Sequence, residues 1–475
     1  MYQHKTVKKW MGLVMFLILL SVTTVTVTMT NSELVVEDSS ETTIVEPYFV
    51  WNQTYGGTNL DRALTVVQTD DNGFLIGGVT MSFGAGMRDM WLVKTDPNGQ
   101  IQWNRTFGGS LDDLLLSIVK NSDGNYTLFG NTDSFGSGDR DIWMIKIDPN
   151  GVPIFNKTFG GPTFDVYRSA IQTSDGGFAI TGGTTTYGAG QEDAWLIKTN
   201  STGDIEWNTT YGGIGSWNRG MTVVQNNDSG LVIIGPTIDH DSTAEIGIIK
   251  TNISGDYEWN VSLGTIPGDW FNTMIQTPDG GYALAGTNDS LNLGDIVLLK
   301  IDENGTKQWY NNYGGKFSDS SNWYGSLAQA SDGSYLIVGN LDTLINYSDS
   351  ILIKTDNSGT MIWNITYSGY NIEDSRAVII SNDNSYIVTG YTDSFGAGGS
   401  DFFLYKISEK LVTLPSSSTS SISTSITSSS SSSVSSIPSS SSNSSTSSTP
   451  SFEILFSIIA FVVLFKHRKE DERKK

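Results

Sequence analysis

The chain has 475 residues, with 50 acidic against 28 basic side chains and no cysteine. A net charge of −22 argues against a phosphate-binding surface, and so against nucleic acid as a partner. The missing cysteine excludes disulfides, thiolate metal sites and thiol nucleophiles, and does not choose a compartment.

Lys5, Lys8 and Lys9 precede a charge-free apolar stretch, so residues 1–32 read as a signal peptide or signal anchor. The usual A-x-A cleavage site is missing, which leaves the two open. Residues 33–48 read as a linker.

A repeat of about fifty residues then runs seven times, a period that means a propeller or array of one supersecondary unit. Its marker is an aromatic: Trp51, Trp103, Phe155, Trp207, Trp259, Trp309 and Trp363. In the unit from Asp61 to Gly109, residues 63–69 form an apolar, β-branched run. Asp71-Asn72-Gly73 breaks it as a hairpin turn. Residues 74–80 are apolar on both parities, which predicts a strand buried on both faces. The loop Ser82-Phe83-Gly84-Ala85-Gly86 leads to a third strand over 89–95 and the tight turn Asp96-Pro97-Asn98-Gly99. Residues 101–107 alternate, as an outer strand with one wet side does. Each unit is therefore a four-stranded antiparallel meander.

Residues 49–57 are a lone fourth strand, and the last unit, 373–407, lacks one. The expected fold is all-β: a seven-bladed β-propeller over 49–410, closed by the N-terminal strand completing the last blade. Residues 411–450 are Ser/Thr-rich and read as an extended stalk, and 451–475 as a transmembrane segment with a basic tail. These ends place the propeller at the cell surface, outside the cell and membrane-anchored. Asn-x-Ser/Thr sequons agree with that. Six directly follow the marker aromatic, at Asn52, Asn104, Asn156, Asn208, Asn260 and Asn364, and are glycosylation candidates.

Three positions recur in every unit. A polar residue, Asp61 in the first, opens strand one. An acid opens strand three and a lysine follows five residues later, as in Asp89 and Lys94, Asp141 and Lys146, Asp193 and Lys198, and Asp401 and Lys406. Seven-fold recurrence is unlike an active site, so this set reads as structural, the acid satisfying loop N–H groups and the lysine needing an acidic partner between sheets. A ring of calcium sites is the alternative; no other cofactor and no metal centre is indicated. Copying breaks down in units four to six, where Trp217, Trp270, Trp323 and Tyr324 enter the loops before strand one. Aromatics beside Asn and Asp suit stacking on sugar or gripping a peptide, and they are the candidate ligand-binding residues. Plugging gaps between blades is the competing role. No nucleophile elbow, HExxH or phosphate loop is present.

The pattern Asp-Gly-Gly-Phe, Ser-Phe-Gly-Ala-Gly, Asp-x-Trp-Leu-x-Lys-Thr-Asp-x-x-Gly-x-x-x-Trp resembles the PQQ-like or delta-60-like β-propeller repeats of bacterial and archaeal surface proteins. Asp96, Gly99 and Trp103 resemble the tryptophan-docking motif of quinoprotein propellers, which implies a role in locking blades together and none in holding quinone. Thr449-Pro450-Ser451-Phe452, followed by an apolar run and a basic tail, resembles archaeal C-terminal sorting signals, with Ser451 in the glycine's place. The expected function is a non-enzymatic, membrane-tethered surface module that binds an extracellular glycan or protein. A surface carbohydrate-active or quinoprotein-like enzyme, and a structural envelope component, are the alternatives.

Overall fold

The computed structural model describes residues 42–414 apart from 190, 213–218, 237–245, 264–268, 289–293, 315–318, 322–326 and 343–347. The signal segment and membrane segment read from the sequence lie outside the described residues, as does the stalk beyond Leu414. Among the described residues no helix is long and apolar enough to cross a membrane. Seven antiparallel sheets follow one another in chain order. The first comprises Asp61–Gln68, Phe74–Thr80, Asp89–Thr95 and Ile101–Phe107. The two middle strands are buried at every residue, while the fourth is half exposed or more throughout. This is the burial that the apolar runs and the alternation predict. In blade six the first strand is split into Asp319–Ser321 and Leu327–Gln329, both paired with Tyr335–Asp342.

The last sheet is closed by the N-terminal strand. Thr42–Tyr55 runs antiparallel to Asp401–Leu414, from Thr42 opposite Leu414 to Tyr55 opposite Phe402. Both strands outrun the expected limits of 49 and 410. Pro47 conceals the N-terminal part in the sequence, but an edge strand tolerates a residue without an N–H. Glu46 and Lys410 add an ion pair at 3.0 Å.

The seam between blades seven and one repeats the seams inside the chain. The Asp61 N–H donates to the Ser400 carbonyl, as Asp113 does to Arg88 and Asp165 to Arg140. The Gln68 amide oxygen accepts the Asn382 N–H at 2.8 Å, as Gln172 accepts that of Ser122 and Gln225 that of Ser174. The ring is therefore closed by the interactions that join consecutive blades.

The marker aromatics hold neighbouring blades together. Gly151, in the tight turn between the third and fourth strands of blade two, has φ +78°. A Cβ there would approach the Trp103 ring of blade one to 2.8 Å. Gly255 and Trp207, and Gly359 and Trp309, repeat the arrangement. Blade seven lacks that turn, because its fourth strand comes from the N-terminus. There Trp363 donates its indole N–H to Glu409 at 2.7 Å instead.

Candidate functional site

The loops joining strand two to strand three, and strand four to the next strand one, share one side of the ring. The Asn59 N–H donates to Ser82 Oγ at 3.0 Å, Leu111 does so to Ser134, and Asn371 to Ser394 at 2.7 Å. Each Ser/Thr-aromatic-Gly loop in blades seven, one, two and three is clamped at both ends. Thr80 Oγ1 accepts the N–H groups of Ser82 and Phe83, a local Thr turn. Asp89 Oδ2 accepts those of Ala85 and Gly86, at 2.9 Å each. Between the clamps Gly84 takes φ +103°, a conformation that favours glycine.

The loop aromatic is thus held in place. Phe83 packs on Trp91 with centroids 5.1 Å apart, Phe135 on Trp143 at 5.0 Å, Tyr187 on Trp195 at 5.0 Å, and Phe395 on Tyr367 at 5.8 Å. One face of each ring is covered and the rest is open, with exposures of 43, 45, 43 and 39%. Met81, Met87, Leu111, Phe164 and Tyr370 are exposed in the same loops. Four consecutive blades therefore display an arc of exposed apolar side chains, and exposed apolar surface of this kind marks interaction sites.

This arc is present in the sequence as the repeated loop aromatic, but nothing in the sequence sets it apart from the rest of the loop. The irregular tryptophans attract the functional assignment instead. Of these, Trp217, Trp323 and Tyr324 lie outside the described residues. The backbone of Trp270 lies in the strand Asp269–Gln276, opposite Thr287.

Among the described residues the acid and lysine of a unit sit at opposite ends of the third strand and are not partners. The acids Asp89, Asp141, Asp193 and Asp401 take loop N–H groups, as expected. The lysines pair with the acid of the turn between strands one and two: Lys94 with Asp71 at 2.8 Å, Lys146 with Asp123 at 2.6 Å, Lys198 with Asp175 at 2.7 Å and Lys406 with Asp383 at 2.5 Å. The same pairing continues from Lys250–Asp228 at 2.5 Å to Lys354–Asp332 at 3.8 Å. Lys198 is only 2% exposed and also meets Glu206 at 2.9 Å. Among the described residues no group of three metal-ligating side chains is present.

Desolvation would raise the Asp175 carboxyl, but the Lys198 ammonium, the Thr173 hydroxyl and the Gly177 N–H outweigh it and hold the group at about 2, below its usual 3.8. A depressed folded pKa contributes stability that is present above 3.8 and lost as pH falls towards 2. Lys198→Met is therefore expected to cost about 1 kcal/mol at neutral pH, since the half-exposed acids can rehydrate. The cost should fade on acidification towards pH 2 in thermal melts recorded across pH. A cost independent of pH would point to packing rather than charge.

The sequon asparagines occupy one register on the fourth strands. Asn104 lies opposite Val93, Asn156 opposite Ile145, Asn208 opposite Ile197, Asn260 opposite Ile249, Asn364 opposite Ile353 and Asn52 opposite Tyr405. All are exposed except the half-exposed Asn260, whose Oδ1 accepts the Tyr257 hydroxyl at 2.8 Å. Asn208 Oδ1 accepts the Trp195 indole N–H at 3.1 Å.

No protein-family model matches the chain. It is 23% identical over 438 residues to an uncharacterized WD repeat-containing protein of Acanthamoeba polyphaga mimivirus. That alignment covers 75% of this chain and 30% of that protein. Solved structures with a similar course include a protein of unknown function from Dyadobacter fermentans, with TM-score 0.41, 11% identity and coverage of 77% of this chain and 99% of that one. Sqt1 from Chaetomium thermophilum gives TM-score 0.43 and 11% identity over 74% of this chain and 86% of its own. An endo-1,5-alpha-L-arabinanase from Thermotoga petrophila gives 0.33 and 12%, over 76% and 99%. With its seven four-stranded blades and a WD repeat-containing relative, the chain is a repeat β-propeller protein.

Proposed function

We propose that the chain is a membrane-tethered, cell-surface binding module of the PQQ-like or delta-60-like kind, engaging an extracellular glycan or protein through its loop face. The propeller fold commonly serves as an interaction module. The observation that carries the reading is the arc of Phe395, Phe83, Phe135 and Tyr187, four half-exposed rings each fixed on a second aromatic. A ring already immobilised loses little entropy on binding, which favours its use as an anchor. The charge-free N-terminal stretch and the Ser/Thr-rich tract before the C-terminal apolar run support tethering. The exposed sequon asparagines of the fourth strands support a glycosylated rim, and Trp217, Trp270, Trp323 and Tyr324 extend the proposed binding face. A hydrolytic alternative would need carboxylates open to substrate. The acids beside the arc, Asp61, Asp89, Asp113 and Asp141, are buried and committed to loop N–H or hydroxyl donors.

Glycan-array binding and capture of surface proteins test the proposal. Phe83→Ala and Phe135→Ala are expected to weaken binding about tenfold each, since a truncated aromatic anchor costs roughly 1–3 kcal/mol. Melting temperatures should change little. Unaltered binding with both rings removed would move the partner off this arc, and a melting loss without a binding defect would make the rings structural.

A further inference from the structure

At three seams between blades two carboxylates approach one glycine. A Cβ on Gly160 would collide with Asp141 Oδ1 of blade two and lie 3.1 Å from Asp165 Oδ2 of blade three. Gly56 stands in the same way between Asp401 and Asp61, and Gly108 between Asp89 and Asp113. Only glycine leaves room for this convergence. The members of a pair are not equivalent. Asp165 is fully engaged: Oδ2 accepts the Gly161 N–H at 2.7 Å and the Thr186 hydroxyl at 2.8 Å, and Oδ1 accepts the Thr184 hydroxyl. Asp61 is held likewise by Gly57, Ser82 and Thr80. Asp141 and Asp401 use only Oδ2, on Ser137 and on Ala397 with Gly398. Their Oδ1 atoms are buried without a hydrogen-bond partner, beside the glycine that the carboxylate of the next blade also approaches.

Two adjacent buried charges with one oxygen unmatched are costly, and either a cation or a proton could relieve them. The donors decide between these. A calcium ion wants six to eight oxygen ligands, whereas the oxygens of Asp165 and Asp61 already face N–H and O–H hydrogens. No third ligating carboxylate or histidine joins either pair among the described residues. Neither pair has a basic group among its direct partners; Arg140, next to Asp141, is spent on Asp133 at 2.6 Å. A proton on Oδ1 needs one acceptor, and the opposing carboxylate supplies it.

We infer that Asp141 and Asp401 are protonated seam residues, each donating through Oδ1 to the carboxylate of the next blade, Asp165 and Asp61, so that the ring tightens as its surroundings acidify. Burial, and then the charge of the facing carboxylate, push both groups above the ordinary carboxylate range. Glu373 is raised in the same way, by burial and then by Asp349 at the seam of blades six and seven. A raised folded pKa gives stability that is complete below the unfolded value and is lost as pH rises through the folded one. Mild acidification from neutrality should therefore stabilise the ring, until the lysine-paired acids protonate at lower pH.

Asparagine at 141 mimics the protonated acid, keeping an acceptor for Ser137 and presenting an N–H group to Asp165. Asparagine at 165 instead turns an NH2 against one of three donors. In the full-length protein, Asp141→Asn is expected to raise the melting temperature at pH 7 by roughly 1–3 °C, with the gain shrinking as pH falls and vanishing near the ordinary carboxylate value of 3.8. Asp165→Asn should lower it at both. A fall with Asp141→Asn at pH 7 would overturn the inference. So would a rise of the wild-type melting temperature with calcium chloride that Asp141→Asn abolishes, which would make the occupant a cation. Infrared spectra of the wild type provide a measurement independent of any variant's folding. A protonated-carboxyl C=O band should be present at pH 5, where unfolded carboxylates are ionised, and its absence there would also overturn the inference.

Discussion

Deleting Thr42–Tyr55 is expected to abolish the single cooperative unfolding transition of the ring. The strand supplies the outer quarter of blade seven and pairs along the whole of Asp401–Leu414. Its loss would remove Tyr55, which is buried and donates its hydroxyl to the Gly99 carbonyl of blade one at 2.7 Å. It would also remove Trp51 from its contact with Phe74, where the ring centroids are 6.0 Å apart. The edge left behind would be long and apolar, with unpaired N–H and C=O groups, which invites aggregation. Burying one large aromatic contributes about 1.5–3 kcal/mol, and two are involved besides the ladder. Circular dichroism melts should show a broad, early transition or precipitation. An unchanged melt would mean that the ring does not depend on this closure.

Gly151→Ala should be a damaging single methyl in the tight turns, costing about 2–5 kcal/mol. Two penalties add there. The φ of +78° is strained for any residue with a Cβ, at roughly 1–2 kcal/mol. The methyl would also press on two carbons of the Trp103 ring, at 2.8 and 2.9 Å, where overpacking costs typically 1–3 kcal/mol. At Gly124, with φ +82° in the same blade, an added Cβ would meet nothing within 4 Å, so Gly124→Ala should carry the backbone penalty alone. The difference between the two variants in chemical denaturation isolates the contact with Trp103. Equal losses would mean that the indole moves aside without cost.

Three of the four strands of the first blade match the limits that the apolar runs and turn residues imply. They do so because an apolar run buried on both faces, or a regular alternation, bounded by Asn-Gly or Pro-Asn-Gly leaves few other readings. The lysine partners are not legible in the same way. Asp71 stands 23 residues before Lys94, in a turn whose Asp-Asn-Gly sequence already explains itself as a turn. The acid on the lysine's own strand is nearer in sequence and too far along the strand to reach. A few residues of alternation cannot reveal a strand through Pro47, so the length of the closing ribbon is hidden as well. The loop aromatics are visible in the sequence but not singled out by it, because only packing distinguishes a ring that fills a core from one left half exposed.

Thr42 and Leu414 are register partners at the open end of the closing ribbon. Load applied between them would therefore act on one pair at a time, as in opening a zipper, and each ladder bond would fail alone. Load applied to both in the same direction would leave the ribbon unstressed and pass to the ring as a whole. How this molecule bears tension is thus a matter of which ends are pulled, and a single-molecule pull from both ends should yield at low force from blade seven inward.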